Sequence, residues 1–262
     1  MGTRRNLASQ QSESWRPAAF ATTSGKLAAL KAAARRAFDL QAASVWADVG
    51  EHLTHASGLV LDVGCGAQPY RPLVPPGTRY QGIDTLDAKA HFDYEVPDTK
   101  YYSGDRWPID DGTVDMVLCS EVLEHVLDTK IFLREAFRCL RPGGRLVLTV
   151  PFAARWHYIP YDYWRFTPSG LAHHLAQAGF VDVNVAARGN PLVVACYKGM
   201  ALCLPYLFPQ TSSVLARGAK RAMGLFLVPP FVSMAAVAHL TLGNDWGDDC
   251  LGYTAFANRP PE

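Results

Sequence analysis

Short runs of β-branched residues alternate with helical patterns along most of the chain, and this alternation restricts the fold more than any other feature. The first run, GLVLDVGCG, spans 58–66 and ends in a glycine turn, and similar runs lie at 80–83, 114–119, 145–150 and 181–186. A helical pattern is clearest in EVLEHVLDTKIFLREAFRCL, which stops at the following RPGG segment. Strands that alternate with helices predict a parallel sheet with helices on both faces.

The remaining segments predict how the chain is divided. Residues 1–24 are interpreted as a mobile arm and residues 25–56, rich in alanine, as one long or two shorter N-terminal helices. Residues 57–262 form one α/β domain, in which GLAHHLAQAGF is an amphipathic helix and GYTAFANRP the last strand. An apolar insertion at about 188–250 interrupts this domain before the last strand.

Composition excludes several classes of protein. The chain is 49% hydrophobic and 19% charged with a formal net charge of +1, so we expect a globular protein with no nucleic-acid partner. Its six cysteines are scattered without a CxxC pair, which favours reduced thiols and a cytoplasmic location. The first residues carry two arginines but no apolar core after them, so we expect no secretory signal.

The glycine turn after the first strand indicates a ligand site. Asp62, Gly64 and Gly66 lie at the carboxyl end of that strand, which is the edge where open α/β sheets bind ligands. Asp84 ends the second strand, where an acidic side chain can accept both hydroxyls of a ribose. A dinucleotide fingerprint would need a third glycine where Pro69 stands, and no Walker lysine follows. These residues predict a nucleoside cofactor without a pyrophosphate.

Several motifs follow one another in a fixed order: VLDVGCG, then Ile83-Asp84, then WPIDDGTVDMVLCSEVLEHV after Asp105, then LRPGGRLVLTVPF. Together they resemble the class I S-adenosylmethionine-dependent methyltransferases, closest to the small-molecule branch that includes the ubiquinone-biosynthesis enzymes. The resemblance implies a Rossmann-like, seven-stranded, mostly parallel sheet whose last strand is antiparallel. It also implies S-adenosyl-L-methionine as the cofactor.

The resemblance also implies roles for individual residues. The methionine end of the cofactor would contact the glycine turn, with Asp62, Gly64, Cys65 and Gly66. Asp84 would hold the ribose, and Asp105 and Arg106 would contact the adenine. Ser120 and Glu121, after the fourth strand, would lie beside the sulfonium.

The EVLEHV motif raises the question of a metal. Glu121, Glu124 and His125 stand at i, i+3 and i+4, so one helical face would present all three together. Some relatives with this arrangement bind a divalent ion there. Glutamates in a first helical turn are also favoured by the helix dipole alone, and no fourth ligand is evident. We therefore expect no metal and keep these three residues as the alternative ligand set.

The segment WHYIPYDYWRFT follows the predicted fifth strand and is crowded with rings. Its prolines keep it extended, and Thr167-Pro168 is expected to cap and start the next helix. The segment is predicted to form the acceptor side of the site, with Trp164 and Phe166 packed inward. Residues expected to face the acceptor are Trp156, Tyr161, Tyr163 and Arg165, and the candidate bases are His125, His157 and Asp162.

The insertion contains two apolar stretches that approach the length of a bilayer span. Lys198 interrupts the first and Pro229-Pro230 is expected to break the second, so membrane-spanning helices are not predicted. Arg217, Lys220 and Arg221 suit an anionic membrane surface. Contact with a membrane, a cap on the domain and a homodimer through 191–241 stay open as alternatives.

The function predicted from the sequence is methyl transfer from S-adenosylmethionine to the oxygen of a small-molecule or lipid-linked acceptor. A carbon or nitrogen acceptor would keep the same chemistry. The alternative from another class is a cofactor-binding scaffold that has lost catalysis and uses the apolar insertion as a partner interface.

Overall fold

A computed structural model describes residues 26–92 and 95–262 of the chain. Its α-helices are α1 Lys26–Phe38, α2 Leu40–Leu53, α3 Leu86–Phe92, α4 Thr129–Cys139, α5 Pro168–Gln177, α6 Pro191–Leu207 and α7 Val214–Thr241. Its strands are β1 Leu59–Val63, β2 Arg79–Thr85, β3 Thr99–Tyr102, β4 Val114–Ser120, β5 Leu140–Pro151, β6 Val181–Arg188 and β7 Gly252–Asn258. The predicted mobile arm, 1–24, lies outside the described residues.

The seven strands form one sheet in the order β3-β2-β1-β4-β5-β7-β6. The pairs from β3 to β5 are parallel, and β7 runs antiparallel to both β5 and β6. The predicted sheet, mostly parallel with an antiparallel last strand, is therefore confirmed. Because β1, β2, β3, β4 and β5 all point the same way, the loops that follow them meet at one edge, which we call the carboxyl edge.

Alternating side chains of the strands pack against helices on opposite faces of the sheet. Leu61, Val117 and Leu146 lie in one buried cluster with α4 and α5, whereas their neighbours Val60 and Leu118 lie in another with α2. Each such buried aliphatic side chain contributes about 1.5–3 kcal/mol relative to an exposed one. This two-sided burial explains why the strands read as continuous apolar runs.

The predicted start of α4 and the predicted start of the following strand were wrong, whereas the helix ends before the RPGG segment as predicted. Its helical pattern begins at Glu121 in the sequence, but the helix begins at Thr129, because the Asp128 carboxylate caps it by accepting from the Lys130 and Ile131 backbone N–H groups. Residues 123–125 form only a short 3₁₀ turn. The helix ends at Cys139, and the RPGG segment belongs to β5, whose register shifts there against β4.

The N-terminal helices and the insertion pack together beside the sheet. Leu40 of α2, Val193 of α6 and Ala238 of α7 share a buried cluster. Helix α7 continues through Pro229 and Pro230, so the predicted break was wrong. Both prolines are exposed, and α6 packs along the helix and supports it. Among the described residues, α7 is the helix that is long and apolar enough to cross a membrane by length and composition.

Candidate functional site

The turn after β1 requires glycine at Gly64. Its φ is +66°, and a Cβ added there would lie 2.5 Å from the Val122 side chain. Two hydrogen bonds tie the turn to β2: the Gly64 N–H donates to the carbonyl of Ile83 over 2.9 Å, and the Gly66 N–H donates to Asp84 Oδ2 over 3.0 Å. The turn is thereby held close to the carboxylate that follows it in the sheet.

Asp84 has the geometry expected of an acceptor for a diol. Its Oδ1 accepts from the Thr85 backbone N–H over 2.8 Å and its Oδ2 from Gly66, which leaves a lone pair free on each oxygen. The side chain is buried, and burial raises the pKa of its carboxyl group despite these two bonds. The two oxygens and the exposed backbone of the turn fit the hydroxyls of a nucleoside.

Two other predicted cofactor ligands turn into the protein. The carboxyl group of Asp62 accepts from the Tyr80 hydroxyl over 2.5 Å and is buried, and burial raises its pKa to about 7. The Cys65 thiol is also buried and lies 3.7 Å from the hydroxyl of Thr99. The accessible part of the turn is therefore the backbone at Gly64 and Gly66, which are half-buried.

Asp105 and Arg106 follow β3 at the same edge and are both exposed. Arg106 Nη2 lies 3.2 Å from Asp111 Oδ1. Asp105 is close enough to β3 to add a small upward contribution to the pKa of Tyr102, which burial raises first. Their predicted contact with an adenine stays a prediction.

The end of β4 is fixed by residues that the sequence pattern did not reveal. Ser120 Oγ lies 3.2 Å from the Tyr70 hydroxyl, and Glu121 adopts a φ of +54°, a left-handed conformation that costs energy for a non-glycine residue. The fully buried Arg188 compensates by donating to Glu121 Oε1 over 2.7 Å and to Ser44 Oγ over 2.9 Å. No local signal marks Arg188, because its partners lie on distant segments.

The predicted metal-ligand set was wrong in Glu121, because the carboxylate of that residue faces Arg188. The structure instead brings together Glu124, His125 and His157, whose candidate ligand atoms all lie within 4.8 Å of one another. The expectation that no metal is needed stays a prediction.

Glu124 is the centre of a buried group of titratable side chains. Its carboxylate has no exposed surface, and no described residue lies within normal hydrogen-bond distance of it; Oε1 is 3.5 Å from His125 Nε2 and 3.7 Å from His157 Nε2. Burial raises the pKa of Glu124 to about 7. An uncompensated buried carboxylate is costly, so the ionised form of Glu124 near neutral pH depends on a positive charge on a neighbouring ring.

The two histidines present the same nitrogen to Glu124. Nδ1 of His125 lies 2.9 Å from the Tyr161 carbonyl and Nδ1 of His157 lies 3.0 Å from the Arg155 carbonyl, so in both rings Nδ1 carries the hydrogen. Burial lowers the pKa of His125 to about 4, which leaves that ring neutral at pH 7. Burial acts most strongly on the pKa of His157 and lowers it, but Glu124, Asp162 and the Arg155 carbonyl together outweigh burial and raise that pKa.

The ring-rich segment after β5 docks on the 3₁₀ turn. The Tyr163 backbone N–H donates to the Glu124 carbonyl over 2.9 Å, and Trp164 Nε1 donates to the Val126 carbonyl over 2.9 Å. Phe166 is buried as predicted. Trp164 was predicted to pack inward, but it is 41% exposed because its hydrogen bond holds the ring along the outside of the turn.

Asp162 and Arg165 stabilise the segment. Their side chains form a two-pronged ion pair at 2.5 and 2.8 Å, and Asp162 also accepts from the His157 backbone N–H. The partners of Asp162 lower the pKa of its carboxyl group even though burial opposes this. A carboxylate engaged in this way is a positioning group for His157 and a poor proton acceptor.

The rings beside this pair are open to solvent. Trp156, Tyr161 and Tyr163 are all exposed, which leaves an apolar wall at the carboxyl edge. Their predicted contact with an acceptor stays a prediction. Tyr158 lies beside this wall, with its ring centroid 5.2 Å from that of Tyr161, and burial raises the pKa of its hydroxyl. A separate cavity of about 530 Å³ lies at the opposite edge near Leu59 and is lined by none of the predicted site residues.

This sheet order, with a glycine turn after β1 and an acidic residue after β2, defines an α/β protein built to hold a nucleoside cofactor at its carboxyl edge. The methyltransferase domain model matches residues 36–185, so the chain belongs to the S-adenosylmethionine-dependent methyltransferase family. The resemblance predicted from the motifs is confirmed.

Named relatives are similar to this chain over part of its length. A ubiquinone biosynthesis O-methyltransferase from Xanthomonas oryzae is 28% identical over 48% of this chain and 59% of its own length. A human thiol S-methyltransferase is 31% identical over 44% of this chain and 50% of its own length. The chain spans about half the length of the curated relatives that it matches.

The fold is shared with solved structures at low sequence identity. An S-adenosylmethionine-dependent methyltransferase from Archaeoglobus fulgidus has a TM-score of 0.50 and 15% identity, covering 86% of this chain and 98% of that chain. At this identity the likeness concerns the fold alone.

Proposed function

We propose that this protein transfers a methyl group from S-adenosylmethionine to a hydroxyl oxygen of a small-molecule or lipid-linked acceptor. The observation that carries the proposal is the buried Glu124 carboxylate facing the Nε2 atoms of His125 and His157, at the edge that holds the glycine turn and Asp84. The likeness to a ubiquinone biosynthesis O-methyltransferase supports it.

Bound S-adenosylmethionine supplies a sulfonium-activated methyl group, so the protein mainly has to align the acceptor and receive its proton. Asp84 and the backbone of Gly64 and Gly66 would hold the nucleoside and amino-acid parts. The exposed rings of the segment after β5 would bind an apolar acceptor and could attract a positive charge through their faces.

His157 is the proton acceptor in this proposal. Its Nδ1–H is bound to the Arg155 carbonyl, so its Nε2 is the basic atom, and Glu124 beside it stabilises the imidazolium that forms when Nε2 takes the hydroxyl proton. Asp162 fixes the backbone of His157. A hydroxyl with an ordinary pKa near about 10 needs such a base, whereas a thiol near about 8.5 needs it much less.

The choice between oxygen and sulfur can be tested with a matched pair of acceptors, a phenol and a thiophenol that carry the same alkyl chain. Labelled S-adenosylmethionine should methylate the phenol, and mass spectrometry should locate the methyl on oxygen. Methylation of the thiophenol alone, at every pH, would overturn the oxygen assignment and favour the chemistry named for the human relative. Binding of S-adenosylhomocysteine without transfer to any acceptor would favour a non-catalytic scaffold.

The pH dependence of kcat/KM should report the Glu124–His157 pair. The value of kcat/KM should rise with pH, because the His157 ring must lose its proton before it can act as a base. The midpoint of this rise should lie above the ordinary histidine pKa of about 6.5, because Glu124 helps to raise the pKa of His157. In Glu124→Gln the carboxylate that raises the pKa of His157 is lost, while burial still lowers that pKa. The midpoint of the kcat/KM profile should therefore move to lower pH, and kcat/KM at high pH should fall. Since Glu124 lacks a normal hydrogen bond, the melting temperature should not drop. An unmoved midpoint in the variant would contradict the pairing.

A further inference from the structure

The part of the insertion farthest from the domain is a helical tip with an unusual surface. We define the tip as residues 202–226, the end of α6, its connection and the first half of α7. Seven of its large apolar side chains are more than half exposed: Leu202 75%, Phe208 63%, Val214 81%, Leu215 87%, Met223 52%, Leu225 74% and Phe226 78%. An exposed apolar surface of this kind marks an interaction site.

The tip is amphipathic in a definite direction. Leu215, Ala219, Ala222 and Phe226 recur at i, i+4, i+7 and i+11 and form one exposed face of α7. The opposite face carries Arg217, Lys220 and Arg221 and continues to Gly224, where an added Cβ would lie 2.6 Å from the Tyr206 carbonyl of α6. One face is therefore held against α6 and bordered by cations, while the other is apolar and uncovered by the described residues.

Most of the insertion carries positive but no negative side chains. From Gly189 to Asn244 the sequence contains no aspartate or glutamate, while it contains Lys198, Arg217, Lys220 and Arg221. None of these four cations has an ion pair with an acidic residue within the described ranges 26–92 and 95–262. A surface that pairs apolar side chains with unneutralised cations is complementary to anionic lipid headgroups above an acyl layer.

The second half of α7 decides how deep such contact can go. Ala235 and Ala238 are buried against Leu40 of α2, and Asn190 Nδ2 donates to the Thr241 carbonyl over 2.9 Å. This half is docked on the domain, so α7 cannot cross a bilayer as a whole while the domain stays folded. The free tip can still enter the interface in a parallel orientation.

We propose that the α6–α7 tip inserts into the surface of an anionic lipid bilayer. In this arrangement the apolar face of α7 lies in the acyl boundary, and Arg217, Lys220 and Arg221 contact the headgroups. The same hairpin also contacts the chain just before the ring-rich segment, since the Lys198 ammonium donates to the Ala153 carbonyl between β5 and that segment. The inference does not depend on the proposed methyl transfer, because it concerns binding to lipid.

Flotation of the full chain with vesicles tests this directly. The protein should float with vesicles of phosphatidylcholine and phosphatidylglycerol, and binding to pure phosphatidylcholine should be weaker by about 10-fold or more, as expected for several cations near an anionic surface. High salt should weaken the anionic binding. Protein that stays unbound with anionic vesicles at low salt would overturn the proposal.

Two variants locate the contact. Leu225→Asp/Phe226→Asp should lower binding by about 10-fold or more, because two apolar anchors are lost. Leu127→Asp, which changes a leucine outside the tip that is 69% exposed, should bind like the wild type. Circular dichroism and melting temperatures should match in all three proteins.

Sedimentation without lipid tests the alternative that a second copy of the chain, and not a membrane, covers the tip. The wild type should show the same mass as Leu225→Asp/Phe226→Asp. A wild-type dimer that this substitution dissociates would assign the tip to self-association and overturn the lipid proposal.

Discussion

Replacing His157 with asparagine is expected to lower kcat for a hydroxyl acceptor by about 10²- to 10⁴-fold at neutral pH, the usual contribution of a positioned base. The reason is the orientation of the ring: Nδ1 is engaged by the Arg155 carbonyl, and Nε2 points toward Glu124 Oε1 at 3.7 Å. Asparagine keeps a donor near the Nδ1 position but has no basic atom in place of Nε2. Steady-state kinetics on the phenol acceptor would measure the loss.

A matched control for this variant is His173→Asn, which changes an exposed histidine on α5. It should leave kcat unchanged. Affinity for S-adenosylhomocysteine should be the same in both variants and the wild type, since His157 is placed on the acceptor side. If His157→Asn turns over like the wild type across the whole pH range, the base is another group.

The second large effect is expected at Asp84. Asp84→Ala should weaken binding of S-adenosylhomocysteine by about 100-fold or more, because hydrogen bonds to a charged group contribute about 1.5–3 kcal/mol each and two ribose hydroxyls would lose their acceptor. The substitution also leaves the Gly66 and Thr85 N–H groups without the carboxylate that now accepts from them. Isothermal titration calorimetry would give the change in Kd directly.

Asp87→Ala is the control for Asp84→Ala, because it removes an exposed carboxylate three residues farther along the chain, in the first turn of α3. That variant should bind S-adenosylhomocysteine like the wild type. Equal affinity of Asp84→Ala and the wild type would remove Asp84 from the site, whereas weakening in both variants would indicate a general effect of negative charge.

The strands between residues 58 and 119 that are buried on both faces could be predicted from the sequence for a simple reason. A strand buried on both faces must be apolar throughout, and a turn with a φ of +66° beside a packed valine must be glycine. Such local requirements leave a local trace, which is why 58–66, 80–83 and 114–119 were placed correctly. The short β3 left a weak trace because it is a half-buried edge strand between polar residues.

The errors around Glu121 arose where a local pattern competed with long-range contacts. EVLEHV has good helical spacing, but Glu121 is held by Arg188, and the carbonyl of Glu124 accepts from Tyr163 and Trp164. These partners come from β6 and from the segment after β5, so no window around the motif contains them. The continuous helix through Pro229 has a similar origin, since α6 supports it from outside its own sequence.

By itself, the sequence determined the α/β architecture, the position of the glycine turn and the acid after β2, because backbone conformation and burial constrain those residues one segment at a time. Only the tertiary structure decided that Glu124, His125 and His157 meet in one buried group, that Glu121 turns away to Arg188, and that the tip of α7 is left uncovered. The physical reason is that the energy of a buried charge or an exposed apolar face depends on what the fold places beside it.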